Sequence, residues 1–72
     1  MNDKIAIKFQ QAIGQLPSKQ KLSFSLRYYD DMTYEEIATV TGSTAASAKA
    51  NYHVAKEKII KFMNVFDETD EQ

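Results

Sequence analysis

Apolar residues recur along this chain with the spacing of amphipathic helices, and interruptions divide the pattern into four stretches. Ile5, Phe9, Ala12, Ile13 and Leu16 share one face, with Asn2 or Asp3 available as a cap, and the first helix is expected to end near Gly14. Pro17 and Ser18 restart the chain, because proline suits a first helical turn and the Ser18 hydroxyl can accept from a free amide. The second helix runs to about Tyr29 and buries members of the set Leu22, Phe24, Leu26, Tyr28 and Tyr29. Asp30, Asp31 and Met32 break the pattern. Thr33 and Glu36 then form a capping box for a short third helix, Thr33 to about Thr41, with Ile37, Ala38 and Val40 facing inward. Gly42 supplies a left-handed exit, and Thr44 is placed to cap a fourth helix that reaches about Phe66. Ala48, Tyr52, Ala55, Ile59, Phe62 and Phe66 make its inward stripe.

The expectation is therefore an all-α fold. A single helical domain spans residues 1–66, with a helix-turn-helix at about 33–63, and an acidic tail occupies 67–72. No strand pattern, internal repeat or low-complexity linker is visible. A chain of 72 residues lies near the lower limit for one self-sufficient core. It contains 43% hydrophobic and 26% charged residues, which favours folding over disorder. Without cysteine there can be no disulfide framework or thiolate zinc site, and a single histidine gives no support for a metal. No cofactor is expected. With no apolar run of membrane length and no leader pattern, a cytoplasmic location and no membrane partner are expected.

Charge changes this picture only when it is divided. The formal net charge is −1, but Asp67, Glu68, Asp70 and Glu71 account for four negative charges, and without them the remainder sums to +3. Lys49, Lys56, Lys58 and Lys61 face only Glu57 between residues 44 and 63. A short helix, a glycine turn and a second helix with an outward basic face make a helix-turn-helix. The alanines and serines of Gly42–His53 then acquire a purpose beyond helix propensity. Small side chains at Ala45, Ala46, Ser47 and Ala50 let a helix start enter a major groove, and its free amides suit a phosphate.

Several of these features occur in a specific order. Leu16-Pro17, Gln20-Lys21, Phe24-Ser25-Leu26-Arg27, Tyr34-Glu35-Glu36-Ile37-Ala38 and the run AKANYHVAKEKI follow one another. From about Leu16 to Ile60 the chain resembles region four of bacterial sigma factors of the sigma-70 family, in particular the extracytoplasmic-function type of Bacteroidetes-like bacteria. The resemblance implies a four-helix fold of winged-helix-like plan without a wing, and a function in transcription initiation. The domain would read the upstream, minus-thirty-five promoter element in double-stranded DNA while docked on the beta flap of RNA polymerase. An anti-sigma factor is a further candidate partner. Carried over by position, Thr44, Ala46 and Ser47 would meet backbone or base edges; Lys49, Ala50 and His53 would face the bases; and Lys56 would meet a phosphate. Lys49 is the first choice for a guanine contact.

The chain also departs from that pattern. Thr41 and Ser43 stand where the family usually buries larger apolar residues, Ala48 replaces a valine or leucine, and Asn51 and Val54 occupy places where arginines are frequent. A loosely packed turn and weak DNA binding by the isolated domain are expected. The region that melts the downstream promoter element has no room here, and Asp67–Gln72 has the character of a natural C-terminus. An excised C-terminal domain is therefore expected, with a stand-alone small protein as the alternative. One rival reading is a module that binds polymerase or an anti-sigma factor without reading DNA. Another is a response-regulator effector domain, whose usual Leu-Thr-x-Arg-Glu opening is absent. An enzyme is not expected, since no acid-base constellation is present.

Overall fold

The computed structural model describes residues 3–70, with side chains through residue 64. Four helices follow one another: α1 (Lys4–Gly14), α2 (Ser18–Tyr28), α3 (Tyr34–Thr41) and α4 (Ala45–Asp70). No strand occurs among the described residues. The longest helix, α4, is the support on which α1, α2 and α3 all pack.

Local chemistry accounts for most helix ends. The Asp3 carboxylate accepts from the amides of Ile5 at 3.0 Å and Ala6 at 3.4 Å, while the alternative cap, Asn2, lies outside the described residues. At α3 the capping box closes: the Thr33 amide donates to Glu36 Oε1 at 2.8 Å and the Glu36 amide to Thr33 Oγ1 at 3.1 Å. Gly42 adopts φ 71°, a left-handed conformation that allows the amide of Ser43 to reach back to the Ala38 carbonyl at 2.9 Å. Thr44 then caps α4 through the Ser47 amide, at 3.0 Å. The backbone of α4 continues past the expected Phe66 to Asp70; the side chain of Phe66 and those of the acidic tail, Asp67–Gln72, lie outside the described set.

Ser18 does not act as the cap expected of it. Pro17 itself occupies the cap position of α2 and offers no side-chain acceptor, so Ser18 becomes the first helical residue. The turn after α2 also contains a feature without a local signature. Asp31 has φ 56°, a left-handed backbone that costs an L-residue with a Cβ roughly 1–2 kcal/mol.

The main core combines Ala12, Ile13 and Leu16 of α1, Phe24 of α2, and Ala55 and Ile59 of α4. Phe24 lies between two rings, stacked on Tyr28 at 5.2 Å and on Tyr52 at 5.5 Å, with Phe9 edge-on at 6.1 Å. Ile37, Ala38 and Ala48 are buried where α3 crosses α4. One expectation about the interior, Val40, needs correction, and the set proposed for α2 is narrowed to Phe24 and, in part, Leu26. Val40 is 58% exposed, because an eight-residue helix buries only the narrow arc around Ile37, Ala38 and Thr41. Leu22, Tyr28 and Tyr29 are also exposed; Phe24 alone of the apolar residues proposed for α2 is fully buried, with Leu26 intermediate.

Two stability outcomes follow. Phe24→Ala removes the shared ring of the aromatic stack and should cost about 3–5 kcal/mol. That is comparable with the whole stability of a domain this size, so thermal melting monitored by circular dichroism should show little or no cooperative transition. Asp31→Gly should instead raise the urea midpoint by up to about 1 kcal/mol equivalent, since glycine relieves the left-handed strain. A lowered midpoint would show that the Asp31 side chain outweighs its backbone cost.

Candidate nucleic-acid interface

The start of α4 presents what a groove-entering helix needs. Its first amides point out of the helix end, and Thr44 satisfies one of them through Ser47, leaving partial positive charge at the tip. Ala46 and Ala50 lie on the side of α4 away from Ala48, Ala55 and Ile59, so at these two positions only a methyl group projects from the open face. Thr44, Ala46, Ser47, Lys49, Ala50, His53 and Lys56 are all exposed. The structure thus leaves every position singled out in the sequence accessible, but it does not gather them into one cluster.

Two neighbourhoods emerge. Lys49 lies with Ala45 and Ala46 in a shallow depression whose other wall is Arg27, Tyr34 and Glu35, so the start of α4 adjoins the start of α3. Lys56 instead borders the aromatic group Phe9, Phe24, Tyr28 and Tyr52, together with Ile59 and Ile60. His53 rests edge-on against Tyr52, at 5.5 Å between rings. Two of the departures also separate: Val54 is exposed, whereas Asn51 lines a cleft toward α2 and is only partly exposed.

Arg27 was part of a core segment in the sequence, with no role attached to its charge. Its guanidinium donates to the Met32 carbonyl at 2.8 Å and lies over the Tyr34 ring, 4.9 Å from the centroid. One side chain therefore ties the end of α2 to the loop and to the first turn of α3. Tyr34 in turn meets Tyr52 of α4, with ring centroids 6.2 Å apart. These contacts couple the orientation of α3 to that of α4. No periodic signal could have found them, because Arg27 and Tyr34 belong to different helices.

The turn is loosely packed, as expected, with an open cleft against Thr41 and Ser43, but it is held by hydrogen bonds. Thr41 Oγ1 donates to the Ile37 carbonyl at 2.8 Å and lies 2.8 Å from Ser43 Oγ, so hydroxyl hydrogen bonds tie the turn where apolar side chains were expected. Among the described residues, no group of histidines and acids could hold a metal, and no helix is long and apolar enough to cross a membrane.

A comparison with protein families matches residues 6–59 to the family described as Sigma-70, region 4. The matched span covers more than half of the chain and includes most of α1, which lay outside the motifs that carried the resemblance. No curated protein and no solved structure gives a significant match.

The bridging role of Arg27 can be measured without DNA. Arg27→Met keeps the aliphatic length but loses the hydrogen bond and the cation–π contact, and should cost about 1–3 kcal/mol in urea unfolding. Amide exchange at Met32, Thr33 and Tyr34 should accelerate more than exchange within α1. Uniform acceleration across all helices would indicate general destabilisation in place of a local tie.

Proposed function

The chain belongs to the sigma-70 region 4 family, and on that premise we propose that α3 and α4 read the upstream promoter element while the domain is docked on RNA polymerase. Domains of this family generally read the minus-thirty-five element and bind the polymerase. The observation that carries the reading for this chain is the exposed, Thr44-capped start of α4, in which Ala46 and Ala50 leave room for a groove and Lys49 stands one turn inside. Lys49 would donate to a guanine edge, Ala50 and His53 would lie against bases, and Thr44, Ala46 and Ser47 would meet backbone or base edges at the groove entrance. Lys56 would neutralise a phosphate. The ordered motifs from Leu16-Pro17 to Tyr34-Glu35-Glu36-Ile37-Ala38 support the extracytoplasmic-function type.

Few charges serve this surface. Each phosphate neutralised contributes about 0.9 to the salt slope of binding, so a face with Lys49 and Lys56 as its principal cations binds weakly and shallowly in salt. Affinity at the promoter then depends on polymerase holding the domain in place. The exposed Tyr28, Tyr29 and Ile60 favour such docking, since they form apolar surface beside α4 that DNA does not require. The beta flap of the polymerase is the partner we propose for that surface, with an anti-sigma factor as the alternative.

The test is a low-salt selection of short randomised duplexes by the domain, repeated with two variants. The wild type should enrich one motif; Lys49→Ala should relax preference at one position by about 1–3 kcal/mol. Lys56→Ala should weaken all duplexes alike and lower the salt slope by about one. No enrichment, together with retained binding to the polymerase flap, would replace DNA reading by docking alone.

A further inference from the structure

On the flank of α4 away from Lys49 lies a partly enclosed cleft of about 280 Å³ between the first turns of α2, the turn after α3, and Asn51. Its walls are chemically unequal. On the α2 side stand Lys19 and Ser23, and Lys19 is the only charged residue of the lining. The amides of the first α2 turn are also left over: Pro17 provides no side-chain cap, and the first backbone bond of the helix is Lys21 to the Pro17 carbonyl, at 2.8 Å. Positive potential from this helix end and from Lys19 therefore meets no carboxylate in the cleft.

Ser23 supplies an independent observation. As a residue it is 2% exposed; it lines the cleft, and its hydroxyl, which makes no hydrogen bond among the described residues, keeps what access it has through the cleft. A ligand oxygen in the cleft would give this hydroxyl a partner that the protein does not supply. The opposite wall has the reverse preference. Because Thr41 Oγ1 donates to the Ile37 carbonyl, Ser43 must supply the proton between the two hydroxyls, and its oxygen remains free to accept. Asn51 can donate or accept, while Leu22 and Val40 complete an apolar rim.

We propose that this cleft binds a small molecule carrying a carboxylate or phosphate at one end, held by Lys19, Ser23 and the α2 amides, and a hydroxyl or amine donor directed to Ser43. The site is independent of the DNA-reading assignment, since it lies on other residues and requires no duplex.

The experiment is an NMR titration of the isotope-labelled 72-residue chain with inorganic phosphate and with glycerol phosphate, at constant ionic strength, using chloride as the reference. Saturable shifts are expected at the amides of Ser18, Lys19, Gln20 and Ser23 and at the Asn51 side chain, with glycerol phosphate the tighter ligand. Lys19→Gln and Ser23→Ala should each weaken binding about tenfold, the scale of one charge-assisted hydrogen bond. Ser43→Ala, at an exposed position that leaves the core untouched, should remove the advantage of glycerol phosphate over phosphate. Circular dichroism establishes that each variant folds. Shifts no larger than those from chloride, or binding unaffected by both Ser23→Ala and Ser43→Ala, would overturn the proposal and leave only a solvated helix end. A response at these amides to duplex DNA but to neither phosphate compound would overturn it too, showing that the cleft grips a DNA backbone.

Discussion

The fold depends on how closely three helices can approach α4. Ala48 and Ala55 have no measurable exposure, so the contact surfaces of α4 at these points are methyl groups backed by main chain. Such surfaces admit α2 and α3 at short range, and Phe24 and Ile37 then fill the space that remains. A larger residue at either alanine would push the neighbouring helix outward, because a close-packed interior cannot absorb extra methylenes without displacing backbone. The aromatic stack through Tyr28, Phe24 and Tyr52 extends the same contact toward solvent.

The alanines of α4 consequently serve two purposes on two sides. Ala48 and Ala55 allow the domain to close, while Ala46 and Ala50 keep the opposite face low, which in the proposed function leaves room for a groove. Arg27 and Tyr34 connect the two sides. By holding the loop at Met32 and the first turn of α3 against Tyr52, they translate the packing of the core into a fixed angle between α3 and α4. For a helix-turn-helix that angle decides which side chains of the second helix can reach a base edge.

The same economy leaves consequences on the other flank. Thr41 and Ser43 tie the turn with hydroxyl hydrogen bonds, and side chains this short leave open the cleft beside α2. The same short hydroxyl side chains thus explain both a hydrogen-bonded turn and a vacant space beside it. Gly42 makes the turn possible, since its φ of 71° is the conformation a side chain would resist.

Helix boundaries were legible because their causes lie within three or four residues. Asp3, the Thr33–Glu36 pair, Gly42 and Thr44 each satisfy or release main-chain groups next to them, and the spacing of Ala48, Tyr52, Ala55, Ile59 and Phe62 reports which side of α4 must leave water. The exposure of Ala46, Lys49, Ala50, His53 and Lys56 followed from the same periodicity, while Thr44 and Ser47 joined the candidate interface through the family resemblance. Where an outcome depended on what another helix brought alongside, the sequence was silent or misleading. Val40 carries an apolar side chain, yet no helix covers it; Ser18 is a good capping residue, yet Pro17 takes that place; Asn51 turns toward the α2 cleft. The bridge from Arg27 to Tyr34 and the stack of Tyr52 on Phe24 arise between helices. The sequence by itself determined the four helices and their inward stripes, because local hydrogen bonding and 3.6-residue periodicity act within one segment. Only the tertiary structure decided the angle of α3 against α4, the division of Lys49 from Lys56 and the cleft beyond Asn51, because each results from the distance between residues far apart in the chain.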